Sequence, residues 1–152
     1  MDEIDVKILK CLKNNARENA SVISEKVNMS VSAVIERIRK LESSGLITRH
    51  TTIIDSSKAG KDVTAFISVS LEHPKFLEKF NTAVLENREI LECHYITGEF
   101  DFILKVATDN TLSLERLLNS IKSVTGVQNT QTIVILSTVK NEHSIDPDEL
   151  IK

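Results

Sequence analysis

The apolar positions of this chain change period once, near its middle. From Ile4 to Leu46 they recur every three or four residues, which predicts helices; from Val63 onward several runs alternate, which predicts strands. Ile4, Ile8, Leu9 and Leu12 put one apolar stripe on Asp2–Asn14, and Asp2, Glu3 and Asp5 suit a helix N-terminus. Asn15-Ala16-Arg17 breaks that helix. Ser21–Ile47 then predicts two helices joined by a tight turn. Val22, Ile23 and Val27 face inward on the first. Asn28, Met29 and Ser30 make the turn, with Ser30 placed as N-cap, and Val31, Val34, Ile38 and Leu41 line one face of the second. Gly45 suits the left-handed position after that helix. Thr48–Ile54, rich in β-formers, predicts a short wing strand.

The second half reads as β-α-β, β-α-β. Val63–Leu71 alternates as a strand, and His73-Pro74 opens a helix with Phe76, Leu77, Phe80 and Val84 on its inner side. Ile90–Thr97 is a second strand, Gly98-Glu99-Phe100 a turn, and Asp101–Ala107 a third strand. Asp109 or Asn110 caps a helix with the stripe Leu114, Leu117, Leu118 and Ile121, and Gly126 leads into a last strand, Val127–Val139. The expected fold is therefore α+β. A winged helix-turn-helix domain at 1–54 and a linker at 55–61 precede a ferredoxin-like βαββαβ domain at 62–140. A polar, loose C-terminal tail at 141–152, with a short turn at Asp146-Pro147, ends the chain.

Two helices can cover only one face of a four-stranded sheet. The third strand offers Phe102, Leu104 and Val106 on one side and Ile103 and Ala107 on the other, and the last strand sets Ile133 and Ile135 against Val134 and Leu136. The uncovered face is then an apolar patch, which a second copy of the chain would bury in a two-fold dimer.

Composition narrows the class. Hydrophobic residues at 41% and charged residues at 27% are those of a folded soluble protein. No apolar run approaches the roughly 20 residues that span a bilayer, and the acidic start MDEIDVK is not a secretory signal. The expected location is cytoplasmic, with no membrane partner, and Cys11 and Cys93 are expected as free thiols. The net charge of −3 is uneven: residues 1–60 carry ten Lys+Arg against eight Asp+Glu, the rest nine against fourteen. The basic balance thus lies with the helix-turn-helix, as double-stranded DNA requires.

On the second helix of that motif, Ser32, Ala33 and Glu36 would lie nearest base edges, and Glu36 can accept from cytosine N4. Arg37, Arg39 and Lys40 are its cations, suited to guanine edges or phosphates, with Arg49 and His50 of the wing touching the backbone. The competing reading is an ordinary helical hairpin whose charges are solvated, with Arg37 paired to Glu42 or Glu3. Glu92, Cys93 and His94 are adjacent but alternate across a strand, so no metal site is expected. No triad spacing, Gly-x-Ser-x-Gly or phosphate loop occurs, so neither an enzyme nor a cofactor is expected.

The chain resembles the Lrp/AsnC (leucine-responsive, or feast/famine) family of transcriptional regulators over nearly its whole length. The resemblance rests on four stretches. They are Asp2-x-x-Asp5-x-x-Ile8-Leu9-x-x-Leu12 with Asn15-Ala16-Arg17; Ser30 with Arg37-Ile38-x-Lys40-Leu41-Glu42-x-x-Gly45-Leu46-Ile47; Gly98-x-Phe100-Asp101-Phe102; and Thr130-x-Thr132. Lys61 departs from the aromatic that often follows the linker glycine in that family, and Glu36 makes the recognition helix less basic than a typical reader. The resemblance implies a sequence-specific regulator responsive to a free amino acid, forming dimers that assemble further, commonly to octamers. It also implies an effector site at the Gly98-Glu99-Phe100-Asp101 turn. There backbone N–H groups would hold the carboxylate and Asp101 the ammonium, with Thr130, Gln131 and Thr132 adding contacts from the neighbouring strand. Two other readings stand beside this: an architectural DNA binder without effector, and an amino-acid-sensing regulatory subunit that does not bind DNA.

Overall fold

The structure, a computed structural model, describes residues 1–150. It divides into two compact units. One comprises Met1–Ile53 with the segment from Lys140 onward, and the other is Ile54–Val139.

In the first unit α1 (Glu3–Asn14), α2 (Ala20–Val27) and α3 (Val31–Ser43) follow one another. Each boundary has a local cause. The Asp2 carboxylate accepts from the N–H groups of Ile4 and Asp5, and the Asp5 carboxylate accepts from Asp2 N–H, a reciprocal capping box. Asn28 closes α2 in the left-handed conformation (φ 53°). Ser30 Oγ then accepts from Ala33 N–H at 3.3 Å to start α3. At the far end of α3 the N–H of Ile47 returns to Leu41 O at 3.1 Å past Gly45, which takes φ 78°. Ile8, Ile23, Val27, Val34 and Leu41 form the core between the three helices.

Two expectations for this unit fail. Residues 48–54 form no strand: a wing strand needs a ladder partner, and among the described residues no segment pairs with it. The tail is not loose. Pro147 is buried, Pro147–Leu150 makes a 3-10 turn packed on α1, and ion pairs join Lys10 to Asp148 (2.6 Å) and Lys13 to Glu142 (3.3 Å). Its acidic residues meet the basic edge of α1, a complementarity between stretches about 130 residues apart that periodicity does not reveal.

The second unit contains β1 (Val63–Leu71), α4 (Leu77–Glu86) after a 3-10 turn at Pro74–Phe76, β2 (Ile90–Tyr95), β3 (Phe102–Thr108), α5 (Thr111–Lys122) and β4 (Val127–Val134). The sheet order is β2-β3-β1-β4, with every pair antiparallel. Each βαβ half leaves a gap of one strand that the other half fills, which is the split-βαβ plan. Ala65, Ile67 and Val69 stand opposite Val106, Leu104 and Phe102. These six side chains meet Phe80 of α4 and Leu114, Leu117 and Ile121 of α5 in one core. Leu77, expected on the inner side of α4, is exposed instead, because the helix proper begins only there.

The last strand is shorter than expected. Its partner β1 begins at Val63, so pairing ends at Ala65↔Val134 plus one bond from Ile135 N–H to Thr64 O. Leu136 and Val139 lie beyond the ladder and are exposed. Gly126, at φ 94°, accepts at its carbonyl from Glu72 N–H, and a Cβ there would overlap the Phe76 side chain.

Candidate functional site

On α3 the core takes Val34, Ile38 and Leu41. The 100° step of a helix then puts Ser32, Glu36 and Arg39 on the outward stripe, Ile35 on one flank and Ala33 and Lys40 on the other, with Val31 beside the core face at the helix start. Ser32, Glu36, Arg39 and Lys40 are exposed and Ala33 is half-buried. Arg39 forms no ion pair among the described residues, while Lys40 reaches Glu36 only loosely, at 3.9 Å. Ser32 Oγ lies 3.1 Å from the capping Ser30 Oγ.

Arg37 does not belong to this surface. Its Nη1 donates to Asp2 at 2.8 Å and to Asp5 at 2.7 Å, so the guanidinium clamps α3 to the N-terminus of α1. Its assignment to DNA is corrected on that ground, and the partners are neither Glu42 nor Glu3. The pair strengthens both charges. The Asp5 carboxylate, then that of Asp2, raises the guanidinium further above its usual range. The Asp5 N–H, then Arg37, holds the Asp2 carboxyl below its own. Arg49 and His50 are both exposed in the irregular segment after α3, and His50 Nε2 lies 3.0 Å from Glu42 of the last helical turn.

Sequence reasoning passed over Val31 and Ile35. Val31 was counted into the apolar face, yet it and Ile35 are 41% and 37% exposed. Val31 shares the periodicity of the apolar stripe and is exposed as the first residue of α3, so only Ile35, off that stripe, carried a signal in the sequence.

In the second unit the β2–β3 turn combines a ladder-ending side chain with a run of free backbone donors. Past Phe102 the β1–β3 ladder ends. Asp101 N–H still donates to Val69 O (3.0 Å), and the Asp101 carboxylate accepts from Leu71 N–H at 2.7 Å. The side chain thus serves as the last acceptor of the ladder. The Asp101 side chain therefore bonds the backbone of a distant strand, while its carbonyl closes the turn by accepting from Ile96 N–H at 2.8 Å. Gly98 takes φ 120° with open space where a Cβ would stand. The N–H groups of Thr97, Gly98, Glu99 and Phe100 donate to no acceptor among the described residues. Backbone donors left free in succession are groups with which an anion can bond.

Thr130, Gln131 and Thr132 do not join that turn within one chain. The neighbour of β3 is β1, not β4, so Thr130 stands two strand spacings, about 10 Å, from Phe102. Thr130 and Thr132 pair with Val69 and Ile67 on the helix-covered face, and Gln131 pairs with Ser68 on the open one. That open face carries Phe66, Ile103, Ile133 and Ile135 among Thr64, Ser68, Lys105 and Gln131. Val134 lies on the helix side.

Glu92 and His94 sit on the open face 3.3 Å apart, with Lys105 at 3.0 Å from Glu92. Lys105, ahead of His94, holds the Glu92 carboxyl below its ordinary range. Cys93 pairs with Leu104 on the other face, where burial pushes its thiol up. Among the described residues no group of three His, Cys, Asp or Glu could hold a metal ion. No helix among them is long and apolar enough to cross a membrane.

A helix-turn-helix whose outward helix carries Arg39 without an ion pair among the described residues, joined in one chain to a split-βαβ unit, is the architecture of a DNA-binding regulator with a second, ligand-binding domain. The comparisons agree on the particular kind. A winged helix-turn-helix DNA-binding model matches residues 1–48, and the Lrp/AsnC ligand binding domain matches residues 64–145. The chain belongs to the Lrp/AsnC family and is a transcriptional regulator of that type. It is 37% identical to the HTH-type transcriptional regulator FL11 of Pyrococcus horikoshii, covering 92% of each chain. It is 31% identical to the leucine-responsive regulatory protein of Escherichia coli K12, covering 95% of this chain and 90% of that one. A transcriptional regulator from Neisseria meningitidis, solved as a complex with L-Met, superposes with a TM-score of 0.94 at 28% identity over 99% of both chains.

Proposed function

We propose that this regulator changes its DNA binding in response to a free amino acid held at the β2–β3 turn. One observation carries the reading: the unused N–H groups from Thr97 to Phe100, opened by Gly98. They suit an α-carboxylate. The Asp101 oxygen that Leu71 leaves free suits the ammonium group. The L-Met bound to the Neisseria meningitidis regulator supports the same class of ligand.

The working form is a homodimer built on the open sheet face, whose aliphatic centre and polar surround suit a second copy. Dimerisation presents two α3 helices to two DNA half-sites. Assembly beyond the dimer, to an octamer, is the family's habit and is expected here. Ser32, Ala33 and Glu36 face bases, Arg39 and Lys40 face phosphate or guanine, and Arg49 and His50 follow the backbone. Thr130, Gln131 and Thr132 reach an effector only if a second chain brings them to the turn.

The test uses the full chain. It is titrated calorimetrically with each of the twenty amino acids, and gel shifts on the DNA upstream of its coding region are run with each in turn. One amino acid that gives heat and also alters the shift is the expected result. Specific DNA binding that no amino acid alters, with no heat from any, overturns the effector reading. Sedimentation of the same samples as monomer at micromolar concentration overturns the dimer.

A further inference from the structure

We infer that Ile35, with Val31 beside it, is a specificity residue that reads thymine methyl groups in the major groove. The inference rests on α3 being the DNA-facing helix, and it deepens that reading by naming what the helix recognises.

The argument starts from placement. The inward face of α3 is filled by Val34, Ile38 and Leu41, and its edge by the Arg37 clamp to Asp2 and Asp5. Nothing in the core requires an aliphatic at 31 or 35, yet both positions carry β-branched aliphatics that remain more than one-third exposed. They are four residues apart and therefore adjacent on the surface. Ile35 borders the outward stripe, one turn from both Ser32 and Arg39, with Val31 between it and the core face. Single exposed aliphatics need no explanation. A contiguous pair bordering a surface made of Ser32, Glu36 and Arg39 does, because those neighbours hydrogen-bond and this pair cannot.

The chemistry of the groove selects the occupant. Base edges in the major groove present donors and acceptors, and the C5-methyl of thymine is their one apolar group. An isoleucine there contributes nothing to a cytosine, whose edge offers an amino donor and no methyl. It buries both apolar surfaces against a thymine. Burial of one methyl corresponds to about fourfold in affinity. The polar neighbours then complete the reading, with Arg39 reaching guanine or phosphate and Glu36 a cytosine amino group.

The experiment removes only the methyl. Selection from a random duplex pool with the full chain gives the consensus. Each thymine of that site is then replaced in turn by deoxyuridine, for the natural protein and for Ile35→Ala and Val31→Ala. Deoxyuridine at one or two thymines of each half-site should weaken the natural protein about fourfold, and Ile35→Ala should be insensitive to one of those changes. Sequence-specific binding that tolerates deoxyuridine at every thymine overturns the inference and leaves the DNA-reading helix standing. So does an Ile35→Ala protein that keeps every deoxyuridine penalty. A pool that yields no consensus removes the helix reading itself, and this inference with it.

Discussion

The two units hold themselves together in different ways. The Ile54–Val139 unit has a continuous core in which six sheet residues meet a Phe80 ring set 4.7 Å from that of Phe102. The helical unit buries a smaller set: Ile8, Ile23, Val27, Val34 and Leu41. Short helices with few buried side chains are marginal by themselves. This unit adds polar fasteners: the capping box at Asp2, the Arg37 clamp and the ion-paired tail. Charge does structural work where the core is small, and such charges are easily taken for ligand contacts. Polar groups of the sheet unit are fewer in its architecture, but Asp101 shows the same confusion on a smaller scale.

The contrast can be pressed hardest at Phe80. Its replacement by alanine empties the centre of the sheet unit and should cost about 3–5 kcal/mol. The chain has one tyrosine and no tryptophan, and Tyr95 lies in β2 with its ring 5.1 Å from Phe102. Tyrosine emission during urea unfolding therefore reports this unit alone, while far-UV circular dichroism reports both. Phe80→Ala should move the whole emission transition but only the share of the helical dichroism that comes from α4 and α5. Coincident shifts would mean that the two units unfold as one.

Asp101 sharpens the comparison at the next level. Asp101→Ala leaves Leu71 N–H without its acceptor at the end of the ladder, a loss of about 1–3 kcal/mol. Asp101→Asn keeps an acceptor oxygen and should lose less. If the carboxylate also meets an ammonium group, asparagine should weaken effector binding while sparing most of the stability. Equal stability of the alanine and asparagine proteins would show that the bond to Leu71 contributes nothing.

Periodicity made most of this fold legible. The alternation from Val63 to Leu71 and the stripe Leu114, Leu117, Ile121 are the core strand and helix of the sheet unit, because burial on one face imposes a period that can be read directly. What could not be read were the pairings between distant residues. The wing at 48–54 had strand composition but no partner strand. The tail had loop composition and found α1. Thr130 had the right chemistry but stands across β1 from the turn it was grouped with. The candidate surface on α3 was half legible: Ser32, Glu36 and Arg39 share the outward stripe, but the charge on Arg37 faces α1 and the aliphatic Ile35 faces out. A residue type does not say which side of a helix uses it.

Arg37 gives the smallest expected effect and the clearest separation of structural from DNA-facing charge. The Asp2 carboxyl is held below its ordinary range, by the Asp5 N–H and then by Arg37. A carboxyl whose pKa is lower in the folded protein stabilises it above the unfolded value near 4, and that contribution disappears as the pH falls through the folded value. The guanidinium stays charged throughout. Arg37→Gln should therefore lower the melting temperature of the helical unit at pH 7, and the gap to the natural protein should close on acidification below about pH 4. High salt should narrow the gap at pH 7 as well, since both partners are partly exposed. Tyr95 emission should register neither change. A gap that persists unaltered at low pH would assign the role of Arg37 to its aliphatic stem rather than its charge. On DNA the same variant should keep the natural salt dependence, whereas Arg39→Gln should reduce its slope by about one. The opposite order would mean that Arg37 leaves Asp2 and Asp5 on binding and that the clamp opens onto the duplex.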